Sequence, residues 1–295
     1  MKNEPLKSKK TGTATPFNDL SDRDLLILFH SRNWTRLTAR GRLAAMQEVE
    51  NRRAKADGRP AVKIGIDPRL GADTYGGFSP RDEVIALNIR FFQGSEKFGK
   101  FGGAKALETI LHEGRHAFQH FSIKLNLPNV PAAQKIDWIA VMHHFGGVYT
   151  NSHPIIYFLQ SIEMDSRRFA RRKLMETQKM FAAMGMEDPV MKVQLLKTLL
   201  LEANIIAAVR QKMTLEQINA YEKIVLDHLK NTRPDLDLTN LRPFDHVRFI
   251  LQHPEIKDPL KMLEALDKMA DAKMGIQVDK DMNKINGSGL NKYKT

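Results

Sequence analysis

Residues 104–123 carry an apolar repeat at helical spacing with a polar motif set into it, and few other features constrain the chain as tightly. Leu107, Ile110, Leu111, Gly114, Phe118 and Phe121 fall on one stripe. His112 and His116 fall on the opposite face, with Glu113 beside them in the sequence His112-Glu113-Gly114-Arg115-His116. Two residues four apart lie only about 40° apart around a helix axis, so both imidazoles can reach one cation. The carboxylate between them points beside that cation rather than at it. A helix of this kind has an apolar face to bury and a polar face that needs a cleft.

A run rich in β-branched and apolar residues precedes the helix, from Asp82 to Ile89, bounded upstream by the turn-like Gly76-Gly77-Phe78-Ser79-Pro80. Residues 61–66 read as an earlier short strand. The expected fold class is therefore α+β and mostly helical, with a small sheet before the His-Glu-x-x-His helix and a helical C-terminal half.

A small sheet leading into an H-E-x-x-H helix resembles the N-terminal half of a zincin metallopeptidase. The resemblance covers about residues 60–185. It implies a zinc ion held by His112 and His116, with Glu113 as the general base that acts on a zinc-activated water. It also implies an edge strand that pairs with an extended substrate and a helix that floors the cleft. A catalytic zinc usually takes a third protein ligand. The metzincin continuation needs glycine at position 119 and histidine at 122, where Gln119 and Ser122 stand, and the inverted H-x-x-E-H order does not occur. The remaining common solution is a glutamate on a second helix, as in gluzincins, and the run from Ser161 to Ala170 fits it with Glu163. The departure is Arg167, where gluzincins commonly carry an acid.

Glu163 lies at the margin of an apolar stripe formed by Ile155, Phe158, Ile162 and Phe169, whereas Asp165 falls inside it. A buried aspartate needs a partner, and a metal-bound histidine needs an acceptor on its other ring nitrogen. Glu163 is thus read as the ligand and Asp165 as the acceptor behind a ligand, with Asp165 or a further histidine as the alternative third ligand. Against this stands an ordinary helix surface in which both acids pair with Arg167 and Arg168. Gln119 reads as a polar residue bordering the cleft. His120 extends the i, i+4 row, but a straight helix cannot aim three such residues at one ion. His143, His144 and His153 fall in the connection between the two helices. His153, Tyr149 and Tyr157 are candidates to stabilise an oxyanion.

The formal charge of +12 favours anionic partners. Its densest patch, Arg167, Arg168, Arg171, Arg172 and Lys173, reads as a solvated helix face, because it has little aromatic interleaving and no nucleic-acid motif. There is no cysteine, so a metal has to be held by nitrogen and oxygen ligands. No apolar run is long enough to span a membrane. No Sec signal peptide is visible, which fits a cytoplasmic protein or one exported by another route.

Along the chain, residues 1–17 read as a disordered tail and 18–58 as a helical segment with Ser21 as an N-cap. Residues 59–188 read as the zincin-like core, 189–282 as a helical region and 283–295 as a flexible tail. The many methionines, among them Met175, Met180, Met184 and Met186, read as core fillers. The leading functional expectation is a zinc-dependent peptidase acting on a protein or peptide substrate. Small zincin-like proteins of this layout resemble the metallopeptidase domains of bacterial and phage-associated effectors or toxins. The alternatives are a non-catalytic zincin-like binding or structural protein and a basic nucleic-acid-associated protein of a mobile element.

Overall fold

The computed structural model describes residues 15–93, 102–144 and 157–275, without the side chains of His143 and His144. Among these residues the fold is α+β and mostly helical. Three helices come first: α1 (Asp22–Ile27), α2 (Ser31–Trp34) and α3 (Ala39–Asp57). Ser21 caps α1 through the amide of Asp24. Thr38 caps α3, and Gly58 closes it in the left-handed conformation with φ 70°. The helical segment expected over 18–58 is thus divided, because His30 and Thr38 each offer a side-chain acceptor that starts a new helix.

Strands β1 (Lys63–Asp67), β2 (Gly76–Ser79) and β3 (Val84–Asn88) form a sheet in the order β1-β3-β2. β1 lies parallel to β3 with Ile64 opposite Ile85, and β2 lies antiparallel to β3 with Phe78 also opposite Ile85. β2 replaces the turn expected at 76–80. Its two glycines resemble a turn signal, but Gly76 is there for proximity. A Cβ on it would lie 3.0 Å from the Ala86 carbonyl and 3.1 Å from Thr109 of the next helix.

The central helix α4 (Gly102–Lys124) lies against this sheet, against α3 and against α6 (Ser161–Ala183). Between them α5 (Ala132–His144) occupies much of what read as the connection between the two helices, starting directly after Pro131. Its Trp138 is fully buried and packs edge-on against Phe118 of α4. The chain continues through α7 (Pro189–Lys212), α8 (Leu215–Thr232), α9 (Asp245–Gln252) and α10 (Pro259–Lys273). Asp188 and Pro189 start α7, a reciprocal Thr214–Gln217 capping box starts α8, and Asp258 with Pro259 starts α10. No helix among the described residues is long and apolar enough to cross a membrane.

Two large apolar clusters result. One joins α1–α4, the sheet, the outer part of α6 and the start of α7. The other joins α5 to α7, α8, α9 and α10. Met191 and Leu195 at the start of α7 belong to the first core, and Ala140 and Val141 of α5 to the second. Thr15 is buried on Glu48 at 2.7 Å, and Phe17 packs on the first core. Met46, Met191 and Met262 fill the interior, whereas Met175 is exposed.

Candidate metal centre

Each residue of the His112–His116 pentapeptide has a separate contact. Gly114 faces α3, where a Cβ would lie 3.0 Å from Glu50 Oε2. Glu50 forms a bidentate pair with buried Arg59 at 2.6 and 2.9 Å, and Arg59 also donates to the Gly114 carbonyl at 3.1 Å. This clamp fixes the back of α4. Arg115 donates to both oxygens of Asp165 on α6, at 2.7 and 3.1 Å, with its guanidinium over the ring of Phe118 at 4.3 Å. Glu113 is buried, and its Oε2 accepts the backbone N–H of Phe78 in edge strand β2 at 2.9 Å.

His112 and His116 meet Glu163, which stands in the first turn of α6 and is 6 % exposed. His112 Nε2 lies 3.1 Å from His116 Nε2 and 3.4 Å from Glu163 Oε2, while His116 Nε2 lies 3.3 Å from Glu163 Oε1. The three residues form a group that could hold a metal ion. Bonds of about 2.0–2.1 Å in a tetrahedral shell place neighbouring ligand atoms about 3.3 Å apart, which fits all three separations. Two imidazoles and one carboxylate are also the donor set of a borderline cation rather than of calcium or magnesium.

Within the group the carboxylate and the imidazoles favour each other's charged forms against the cost of burial. Burial raises the cost of the Glu163 carboxylate, yet His116 and His112 hold it well below the usual range. Burial likewise works to depress His116, but the Glu163 carboxylate prevails and lifts it to about 9. Tyr157 donates its hydroxyl to Glu163 Oε1 at 2.8 Å, and burial together with that carboxylate raises its pKa.

No protein-family model, curated protein or solved structure matches this chain. The site is therefore judged on its own geometry.

That geometry corrects several expectations. Asp165 does not reach a histidine directly. Gln119, fully buried rather than bordering a cleft, stands between them. Its Oε1 faces His116 Nδ1 at 3.0 Å, while its amide nitrogen donates to Asp165 at 2.8 Å and to the Ile162 carbonyl at 3.0 Å. Those two acceptors dictate which end of the amide faces His116, and so favour Nδ1–H with Nε2 free to ligate. Its place three residues after His116, on the same helix face, was the available signal.

The basic patch is not a solvated face. Arg171 pairs with Glu202 at 2.9 Å and Asp267 at 2.8 Å, and Arg168 and Arg172 share Asp271 at 3.1 and 2.7 Å. Arg167 is buried, donates to the Phe158 carbonyl and lies 3.9 Å from Glu163. Lys173, paired with exposed Glu176, and part of the Arg172 side chain do face solvent. His120 points away from the group, to Glu83 at 3.2 Å. Tyr149, His153 and Ile155 lie outside the described residues, as do the side chains of His143 and His144.

Proposed function

We propose that this chain is a zinc-dependent peptidase of the zincin type, with His112, His116 and Glu163 as ligands and Glu113 as general base. The observation that carries the reading is the convergence of two imidazoles with a carboxylate from another helix, next to an acid held on a free strand edge. A metal-binding scaffold has no use for that acid. Glu113 ligates nothing, yet its charge is felt at His116 and at Tyr157.

In this reading an extended peptide lies along the outer edge of β2, the edge that β3 leaves free. Zinc, when bound, polarises the scissile carbonyl and brings the pKa of water down to about 7. Glu113 takes a proton from the attacking water and delivers it to the leaving amine. The Phe78 amide restrains one carboxylate oxygen of Glu113 and leaves the other for that proton. The single proton of the Tyr157 hydroxyl is given to Glu163 Oε1, so Tyr157 donates to the negative charge that develops on the carbonyl oxygen only by turning away from that carboxylate.

The test is cleavage of an unbiased peptide library by zinc-loaded protein, with Glu113→Gln as comparison. The variant should keep its fold and metal and lose at least about 10²-fold in activity. Equal cleavage by the variant would refute the mechanism. A zinc-loaded wild type that cleaves nothing in the library would favour a non-catalytic scaffold.

A further inference from the structure

A cavity of about 80 Å³ lies where α5, the start of α6 and the helices α7, α9 and α10 meet. One water needs about 10–15 Å³ of such free volume, so there is room for several waters or for one small organic molecule. Leu263, Leu266 and Met269 make one side of the wall apolar.

The charged residues of the wall are paired, with one exception. Arg171 lies against Glu202 at 2.9 Å and Asp267 at 2.8 Å. Asp165 accepts from Arg115 at 2.7 Å, Arg168 meets Asp271 at 3.1 Å, and Lys273 meets Asp245 at 2.8 Å. The exception is Asp137 of α5, which is only 8 % exposed. Its Oδ1 is buried and has no hydrogen-bond partner among the described residues. Its Oδ2 receives only a long bond from the Gln134 amide, at 3.4 Å. The Ser161 hydroxyl is near enough to soften the charge of this carboxylate, yet it is aligned for no hydrogen bond. A third wall residue, His246, presents Nε2 to the Leu159 carbonyl, and burial depresses its pKa to about 4. Its ring is therefore neutral, and Nδ1 is an acceptor.

We propose that this cavity is a binding site for a small primary amine, with the ammonium group on Asp137 and a short aliphatic body against Leu263, Leu266 and Met269. Asp137, Ser161 and His246 each bring an acceptor to the wall, and a primary ammonium has three N–H donors. The cations of the wall are already taken by acids, so nothing there is left to hold an anion. A neutral alcohol would leave the Asp137 charge without a counter-ion. Burial pushes the Asp137 carboxyl up to about 7, and a cation beside it would offset that cost. No residue of the metal group lies in this wall, so amine binding stands apart from the proposed chemistry.

The test is calorimetric titration of the full chain with butylammonium at pH 8 and constant ionic strength, with 1-butanol and butyrate as isosteres. Butylammonium should saturate one site with a Kd of about 1 mM, within the range open to so small a ligand, and both isosteres should bind at least about tenfold more weakly. Asp137→Asn keeps the shape of the side chain and removes its charge, and should weaken butylammonium at least about tenfold. Ala270→Leu fills the cavity without touching a charge, and should weaken it as well. Both variants should melt cooperatively, which shows that they fold. A wild type with no saturable binding up to about 20 mM overturns the proposal, whether the cavity then holds only water or is covered by another segment of this chain. Equal binding of butyrate, or undiminished binding of butylammonium by folded Asp137→Asn or Ala270→Leu, overturns it too.

Discussion

Helix α6 carries two buried polar clusters that end in opposite ways. Further along the helix, Arg168, Arg171 and Arg172 meet Asp267, Asp271 and Glu202, and every acid has a guanidinium against it. In the first turn, Glu163 meets two imidazoles and a phenol, and the nearest guanidinium is 3.9 Å away. The first cluster neutralises itself with fixed charges and ties α10 to α6. The second contains lone pairs aimed at a common point, and a cation there would satisfy them all. Burial alone therefore does not mark a functional site; the identity of the counter-charge does.

The largest expected effect tests the self-neutralised cluster. Arg171→Met leaves buried Glu202 without its guanidinium and Asp267 with only Arg172 at 3.8 Å, and should cost about 3 kcal/mol of stability in chemical unfolding, the range for breaking a buried pair. Metal binding by the folded variant should be unchanged. A variant that loses metal while keeping its stability would erase the distinction between the two clusters.

A smaller effect is expected behind the ligands. Gln119→Leu removes the nearer of two groups facing His116 Nδ1, leaving only Ser166 Oγ at 3.3 Å, and chelator competition should show metal binding about 10-fold weaker. Unchanged affinity would mean that the Arg115–Asp165–Gln119 chain only packs α4 against α6.

The smallest effect concerns an acid that belongs to neither cluster. Burial pushes Asp137 on α5 up to about 7. Its folded pKa is thus above its unfolded value. Its contribution to stability is fully present below about pH 4 and is lost as pH rises through 7. Asp137→Asn should therefore match the wild type near pH 4 and exceed it at pH 8, with the gap opening between those two values. A pH-independent difference in melting temperature would contradict this assignment.

The sequence was legible where the information is local. The periodicity of α4, the spacing of His112 and His116 and the pattern around Glu163 are all contained within single helices, and the structure places those three side chains together. It was less legible where a residue type has two meanings. Gly76 and Gly77 read as a turn but sit in a strand that needs close approach to α4. Pro128 and Pro131 suggested a link, while the residues after them form α5, whose Trp138 has no exposed surface. The arginine cluster was not legible at all. Asp267 and Asp271 lie about a hundred residues further on, and no local pattern reports a partner brought in by tertiary packing.

The central claim is that the first turn of α6 and the polar face of α4 together hold one metal ion. Elemental analysis of protein purified without chelator tests it most directly, with His112→Ala, His116→Ala and Glu163→Ala beside the wild type and Arg171→Met as the control from the other cluster. The account predicts about one equivalent of zinc in the wild type and in the control, and loss of it in the three ligand variants. A wild type that binds no metal, or ligand variants that keep a full equivalent, would contradict it.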